Sequence, residues 1–590
     1  MNKEKNHGIN YEKYTCLIDD LEMLKESSNE AVINLSEFSD FKKYMHVKRK
    51  VEEELYEIIE KSSKSNNAKL ILVCGGVGDG KSHLISYLKN EYPEMMSKFK
   101  LHNDATESFE PNKTSIDTLN DILEDFSDSK LYKNKNKVII AINLGALSNF
   151  IDSEYGNKFL ELKKFIKEKE ILDLNISENK YSDESVFQFI NFSDYKIYSL
   201  TKEKAKSNYI KNILINIVKK DPKNKFRNSY ENKCLSCKVR YKCPVKFNYE
   251  MLMKESVQET TIDLLIESIV KNKLIVSTRS VLNFIYDLLI NSKLDNMKCN
   301  EIISYIDDIE CNEFLDCLFT SNIFDHRERS SILESINKID PIILESEELD
   351  KLIIKLNISE NTEKIFNKYI KLEKEYYLNE IMINPNKEIK DKIINTFIRL
   401  NLFIPNEKID LKDKMYIEFM KNMYYFNKGE KKELKEIYKN VKNAIYNWNG
   451  DCEIDKINLS IGKNQVRYKL SQSLEIKSDL NDLKENENDE LFKFNQNIIL
   501  NYKNENKGES YSIDIDFNLY DLLMRVKNGY RPNNNDKYNY INFVEFINKI
   551  ERLGNQNKEI FVEDRFELNG GKYKFTYDED FEEFKFIKVN

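Results

Sequence analysis

The sequence predicts an α/β fold built around a parallel sheet. Apolar segments of strand length recur at 69–74, 99–104, 137–145 and 186–195, and segments with helical periodicity separate them. Strands joined through helices of this length pair in parallel through crossover connections. The segment 137–145 is apolar on both faces, as expected of a strand that helices cover on each side. From Cys452 the pattern changes to alternating strands, which predicts a separate C-terminal α+β region.

Helical patterns extend the fold on both sides of these strands. Helical periodicity runs through 17–60, notably in LIDDLEMLKESS (17–28) and FKKYMHVKRKVEEELYEIIEKS (41–62). In SIDTLNDILEDF we predict a helix capped by Ser115 or Asp117. We divide the chain into an N-terminal helical lead (1–60), an α/β core (61–260) with a Cys-rich insertion (228–248), a helical lid and middle region (261–400), and a C-terminal domain, helical and then β-rich (401–590).

A glycine-rich stretch between the first strand and the next helix carries the strongest functional signal. Residues 75–82, GGVGDGKS, fit G-x-x-x-x-G-K-[ST] at every defined position. Successive backbone N–H groups of such a loop, with the following helix N-terminus, form a cradle for phosphates. We therefore predict a P-loop NTPase core that binds ATP. The residues assigned to the nucleotide are Gly75, Gly76, Val77, Gly78, Asp79, Gly80, Lys81, Ser82 and, without a chemical role, His83.

Hydrolysis needs further groups around this loop. Lys81 is expected to reach the β- and γ-phosphates, and Ser82 to offer its hydroxyl to Mg²⁺. An acid must also hold Mg²⁺ or position water. The apolar run VIIAI (138–142) leads into Asn143 and not into an acid, so Asn143 is either a polar sensor near the γ-phosphate or a residue that caps a turn. The acids that follow predicted strands, where open α/β sheets bind ligands, are Asp104, Glu107 and Asp194.

An arginine further along the chain is a second candidate for contact with the nucleotide. In VSTRSVLNFIYDLL (276–289), Ser277 or Thr278 can cap a helix, which places Arg279 in its first turn. An arginine that opens a lid helix after an α/β core resembles the sensor-2 position of AAA+ and related ATPases, where it contacts the γ-phosphate. The alternative is an ordinary surface arginine.

The Cys-rich insertion predicts a metal site. Cys234-x2-Cys237-x5-Cys243 places two thiols at CxxC spacing with a third close by. A tetrahedral zinc site needs a fourth ligand, and Cys16, Cys299, Cys311, Cys317 or a distant histidine remain possible. An iron–sulfur cluster is the less favoured metal alternative. A redox-labile pair or three unrelated thiols are the alternatives without a metal. Lysines, Arg240 and aromatic residues alternate here, which makes this knuckle the best local candidate for DNA contact.

Composition limits the class of protein. The chain has 590 residues and a net charge of -8 although Lys and Arg number 92, so it is not a general polycation. No run of 18 apolar residues and no apolar N-terminal core occurs, and nine scattered cysteines do not suggest a disulfide framework. We therefore expect a reduced, cytoplasmic protein without a membrane segment.

Several motifs together are similar to one known family. The segments are LKESSNEAV (24–32), FKKYMHVKRKVE (41–52), VCGGVGDGKSHLISYL (73–88), LHNDATES (101–108), VIIAINLGALSNF (138–150) and STRSVLNFIYDLL (277–289). They resemble the DptF family of DNA phosphorothioation-dependent restriction proteins, over roughly residues 20–340. The resemblance implies a bacterial defence ATPase that works with DptG- and DptH-like subunits against DNA lacking phosphorothioate marks. It implies no nuclease centre in this chain, and DNA contact either directly or through those subunits.

Two other functions compete with this reading. A STAND-type switch would bind ATP with little turnover, form a homo-oligomer and recruit partners or effectors. A small-molecule kinase is disfavoured, because the long helical and β-rich extensions exceed what such an enzyme needs.

Overall fold

The fold is a mixed α/β arrangement in two compact units. The computed structural model describes residues 16–30, 40–76, 78–102, 114–172, 180–344, 346–373, 376–405, 409–453, 455–459, 467–503, 509–554, 559–566, 571–578 and 580–589. The first unit comprises Met1–Ser199 and Lys206–Lys412, and the second comprises Leu200–Ala205 and Asp413–Asn590.

The first unit contains one parallel sheet and most of the helices. Its strands are β1 (Lys69–Cys74), β2 (Lys100–His102), β3 (Lys137–Ile142) and β4 (Phe187–Asn191), followed by a hairpin of β5 (Tyr195–Leu200) and β6 (Ala205–Lys206). The helices are α1 (Leu17–Glu30), α2 (Asp40–Met45), α3 (Lys50–Lys64), α4 (Lys81–Glu91), α5 (Pro93–Met96), α6 (Ser115–Leu123), α7 (Leu144–Asp152), α8 (Leu160–Glu168), α9 (Asn208–Val218), α10 (Lys225–Ser229), α11 (Pro244–Leu252), α12 (Glu255–Asn272), α13 (Thr278–Leu289), α14 (Cys299–Asp307), α15 (Cys311–Asp316), α16 (Phe319–Phe324), α17 (Ser331–Asn337), α18 (Glu347–Ile358), α19 (Thr362–Phe366), α20 (Tyr377–Ile381) and α21 (Lys387–Phe403).

The sheet has the order β2-β3-β1-β4, and every pairing in it is parallel. Alternate residues of a strand point to opposite faces, so β1 supplies Leu70 and Leu72 to one core and Ile71 and Val73 to the other. Helices α6, α7 and α8 cover the first face, and α3, α4 and α5 cover the second. The predicted parallel sheet with apolar residues on both faces is therefore confirmed.

The helical segment predicted over 41–62 forms two helices, since α2 ends at Met45 and α3 begins at Lys50. Two local predictions about this unit were wrong. Helix α6 is capped by Thr114 instead of Ser115 or Asp117, since Thr114 and Asp117 form a reciprocal capping box. The segment 186–195 is not one strand, since a short 3₁₀ turn separates β4 from β5.

The second unit is α+β. Its strands are β7 (Lys456–Asn458), β8 (Tyr468–Ser473), β9 (Lys477–Asp479), β10 (Leu491–Lys493), β11 (Ile498–Lys503), β12 (Ser510–Ile515), β13 (Glu559–Asp564), β14 (Gly571–Asp578) and β15 (Glu583–Val589). Its helices are α22 (Lys414–Lys428), α23 (Lys435–Asn447), α24 (Phe517–Lys527), α25 (Asn534–Asn539) and α26 (Ile541–Glu551). Antiparallel pairing gives the orders β12-β11-β9 and β15-β14-β13-β8-β7.

A search of the described helices for one both long and apolar enough to cross a membrane finds none.

Candidate nucleotide-binding site

The glycine loop, which we define as Gly75–Ser82, connects the central strand of the parallel sheet to α4. Every residue of β1 is buried, and α4 begins at Lys81. In the sheet, Ile142 of β3 and Asn191 of β4 pair with Cys74, the last residue of β1. The carboxyl ends of β3 and β4 therefore flank the loop, at the edge where parallel sheets bind ligands.

Glycines allow the turns of this loop. Gly78 and Gly80 have φ angles of 85° and 90°, which disfavour residues with a side chain. A Cβ on Gly75 would lie 2.9 Å from the Cβ of Phe192, too close for any side chain to fit without movement. Gly80 caps α4, so the loop leads directly into the positive end of a helix dipole.

Charged side chains of the loop bind its own backbone. The Lys81 ammonium donates to the carbonyl oxygens of Gly75 at 3.0 Å and Gly76 at 2.6 Å. Within the loop, an Asp79 carboxylate oxygen accepts the Gly76 N–H at 2.6 Å. The guanidinium of Arg49 donates to the Asp79 carbonyl at 3.2 Å. These bonds hold the loop in a closed form in which a backbone N–H group and the lysine have protein partners.

A cavity of about 220 Å³ lies beside the loop. Its walls come from the segment 41–52, the glycine loop with the start of α4, and helices α9 and α13. The cationic residues that line it are Lys42, Arg49, Lys81 and Arg279, and the one acid among its described lining residues is Glu52. Small-molecule sites usually occupy roughly 300–1,000 Å³, so a nucleotide would require the cavity to widen.

Arg279 reaches this cavity from the start of α13. Ser277 caps the helix through a reciprocal bond with Ser280, which confirms the predicted position of Arg279 in the first turn. Tyr209 of α9 donates its hydroxyl to Thr278 at 2.9 Å and so joins the two helices at this point. The Nε of Arg279 is buried and has no hydrogen-bond partner among the described residues. A charged group with an unmet donor on a cavity wall is suited to an anionic ligand.

A pair of histidines forms part of the opposite wall. Nδ1 of His46 lies 3.3 Å from Nε2 of His83, and Nε2 of His46 lies 3.1 Å from the buried Glu52 carboxylate. The His46 ring also stacks on Tyr87, with ring centroids 3.7 Å apart. Burial, with the charges of His46 and Lys42, lowers the pKa of His83 to about 4, so this imidazole is neutral at physiological pH.

Sequence reasoning gave no role to several of these residues. His46, Arg49 and Glu52 lie in or next to the break between α2 and α3, and Tyr209 lies on α9. A signal for the first three was present, because the segment 41–52 is one of those that resemble the restriction family. Tyr209 carried no such signal.

The structure describes only some of the polar residues that were predicted to act in hydrolysis, and those residues already bond to protein groups. The Asn143 side chain accepts the Gly145 N–H at 2.8 Å and caps α7, and the residue follows the strand that pairs with β1. Asp194 is buried, and its carboxylate accepts a hydrogen bond from Asn191 at 2.9 Å. Val77, Asp104 and Glu107 lie outside the described residues.

The predicted metal ligands lie around α10 and α11, apart from the cavity lining. Cys234 is buried, Cys237 and Cys243 are half-buried, and all nine cysteines of the chain are free. Among the described residues, no group of three or more His, Cys, Asp or Glu side chains is placed so that it could hold a metal ion.

Comparison with known proteins adds no identification: no protein-family model and no curated protein matches the chain. The resemblance to the restriction family therefore rests on its motifs.

Proposed function

We propose that the first unit is a P-loop NTPase core that binds ATP with Mg²⁺. The observation that carries the proposal is the cavity that joins the glycine loop to Arg279 and is lined by four cationic side chains and one acid. Such an excess of positive charge suits a polyphosphate, and the helix N-terminus at Lys81 adds to it.

Each element of the site has a part in this proposal. Lys81 exchanges the loop carbonyls for the β- and γ-phosphate oxygens, and Ser82 offers its hydroxyl to Mg²⁺. Arg279 uses its unmet donor on the γ-phosphate, which would couple α13 to the state of the nucleotide. Asn143, beside the end of β1, is the candidate sensor of that phosphate once it gives up its bond to Gly145.

For hydrolysis we favour an acid that follows β2. Asp194 is buried and its carboxylate is already bound by Asn191, which leaves it poorly placed to activate water. Strand β2 pairs in parallel with β3, so its carboxyl end at His102 lies toward the same edge of the sheet as the end of β3 that precedes Asn143. Asp104 and Glu107 follow this strand, and we propose that one of them positions the attacking water.

At the level of the cell, we propose that the chain is the ATP-dependent component of a phosphorothioation-dependent restriction complex. The six motif segments named above support this role, and two of them contain the glycine loop and Arg279. In this proposal the chain acts in the cytoplasm on unmodified DNA, together with DptG- and DptH-like subunits and without a nuclease centre of its own.

A STAND-type switch is the second candidate, and a specific observation favours it. The glycine loop is closed on itself, and the one predicted acid among the described residues, Asp194, is bound to Asn191. A site of this kind would bind ATP and turn it over slowly while partners or effectors are recruited.

The experiment that tests the proposal is ATP turnover by the purified chain with unmodified duplex DNA. Matched reactions contain the same duplex with phosphorothioate linkages, no DNA, or the Lys81→Ala variant. We expect turnover that rises with unmodified DNA and disappears in the variant. ATP binding without turnover, even after DptG- and DptH-like subunits are added, would favour the switch. Failure to bind ATP would refute both functions.

A further inference from the structure

Three separate segments of the chain bring cysteines to one place. Cys16 directly precedes α1, Cys234, Cys237 and Cys243 belong to the Cys-rich insertion, and Cys299 is the first residue of α14. Their thiols interact electrostatically across the cluster. The spacing in the sequence identifies the three thiols of the insertion, whereas only the fold shows which distant cysteines lie near them.

Short turns keep the three thiols of the insertion together. The Cys237 N–H donates to the Cys234 carbonyl at 3.3 Å, which closes the CxxC turn. The Arg240 N–H then donates to the Cys237 carbonyl at 3.2 Å. Cys243 is the N-cap residue of α11, so its position is fixed by a helix that begins with Pro244. Two consecutive turns and a helix start are a compact scaffold for metal ligands.

Helix α1 is attached beside this scaffold. Lys233, next to Cys234, forms an ion pair with Asp20 of α1 at 3.1 Å. At the start of the same helix, the Cys16 thiol interacts with the thiols of Cys234, Cys237 and Cys243. Cys16 is thus close to all three thiols of the insertion.

Cys299 is a weaker candidate for the fourth position. It lies within hydrogen-bond reach of Cys16 and interacts with Cys237. The thiols that influence Cys299 most are those of Cys16 and Cys237, whereas Cys16 is also among the main influences on Cys234 and Cys243. Cys299 therefore lies beside the cluster, next to Cys16.

We propose that Cys16, Cys234, Cys237 and Cys243 form a four-thiolate site for zinc that fastens the start of α1 to the insertion. Four cysteines with one CxxC pair are a standard ligand set for structural zinc. As described, no three of these side chains are placed so that they could hold a metal ion, so zinc binding would require the four thiols to move together. The site is independent of the nucleotide proposal, because none of these cysteines lines the cavity.

The test is the metal content of the full chain, purified without chelators under anaerobic reducing conditions. We expect about one zinc per chain and less than about a tenth of that in Cys16→Ser and Cys237→Ser. Cys299→Ser and Cys452→Ser are the matched controls, and both should keep the metal. Cys452 is half-buried in the second unit, and no cysteine is among the groups that shift its pKa. Lys81→Ala should also keep the metal, which separates this proposal from the nucleotide site.

A second measurement does not depend on variants that fold. Removing zinc from the wild-type chain with a chelator should expose about four additional thiols to a thiol reagent. A chain without zinc overturns the proposal, as does metal that survives in Cys16→Ser and is lost in Cys299→Ser. Stoichiometric iron and sulfide with visible absorbance would replace zinc by an iron–sulfur cluster and also overturn it.

Discussion

Lys69 begins β1, and Lys81 belongs to the glycine loop that leaves the other end of this strand. Both lysines donate to backbone carbonyls, but they are held in different ways. At the amino end, Lys69 is fully buried and donates at 2.8 Å to the carbonyl oxygens of Asp183 and Ser185. At the carboxyl end, Lys81 is half-buried and donates to the carbonyl oxygens of Gly75 and Gly76. The same kind of bond therefore occurs in a fully buried environment at Lys69 and in a partly exposed one at Lys81.

The source of the carbonyls decides what each lysine can do. Those around Lys69 belong to the segment before β4, which Gln188 also fastens through bonds to Ser182 and Ser185. Those around Lys81 belong to the glycine loop itself, beside a cavity. We infer that Lys69 stabilises the fold, whereas Lys81 can exchange its loop carbonyls for phosphate oxygens.

The largest effect expected from this comparison is on nucleotide affinity. Lys81→Ala should weaken ATP binding about 100-fold, because charge-assisted hydrogen bonds contribute roughly 1.5–3 kcal/mol each. Isothermal titration calorimetry measures the change.

Stability of the nucleotide-free chain provides the control. Because the Lys81 carbonyl partners lie in a loop beside a cavity, the free energy of unfolding of Lys81→Ala should change by less than about 1 kcal/mol. A variant that binds ATP like the wild type would refute the role of Lys81.

The sequence predicted much of the carboxyl end of the sheet. Strand 69–74, the helix after the loop and the capped helix that carries Arg279 all follow from local patterns, and the structure confirms them. These features are local: a strand-length apolar run, a glycine motif and a Ser-x-x-Ser cap. The Thr114 cap could also have been predicted, because Asp117 follows it by three residues as a capping box requires. The hydroxyl of Ser115 made that residue an equally plausible cap.

Features made by distant contacts were not predictable. The helix break after Met45 places His46 against Tyr87 and Glu52, and nothing in the periodicity of 41–62 marks it. Likewise, Cys16 was one of several possible partners for the insertion until the fold set α1 beside Cys234. Lys69 in an otherwise apolar strand has its acceptors more than a hundred residues away in the chain.

A second prediction concerns His83, which follows the loop in the first turn of α4. Its pKa is about 4 in the folded chain and 6.5 when unperturbed, so the unfolded chain binds more protons between these values. The contribution of His83 to the free energy of unfolding is therefore fully present above about pH 6.5 and is lost as the pH is lowered toward 4. From about pH 8 to about pH 5 the loss should be about 2 kcal/mol.

Denaturant unfolding of the wild type and of His83→Gln at both pH values measures this contribution. The variant should lose about 2 kcal/mol less than the wild type over that interval. Equal pH dependence in both proteins would show that His83 is not held neutral by its surroundings.

The smallest expected effect tests the amino end of β1. Lys69→Met keeps most of the buried stem, and Ser182 and Ser185 keep their bonds to Gln188, so the main loss is the donor to the Asp183 carbonyl. Burial lowers the pKa of Lys69, which means that removing its charge also relieves a desolvation cost. We therefore expect a destabilisation of only about 1 kcal/mol in denaturant unfolding and no change in ATP affinity. Lys223→Met, at an exposed position, should change neither quantity. Weaker ATP binding by Lys69→Met, of the size expected for Lys81→Ala, would mean that the two ends of the strand do not act separately.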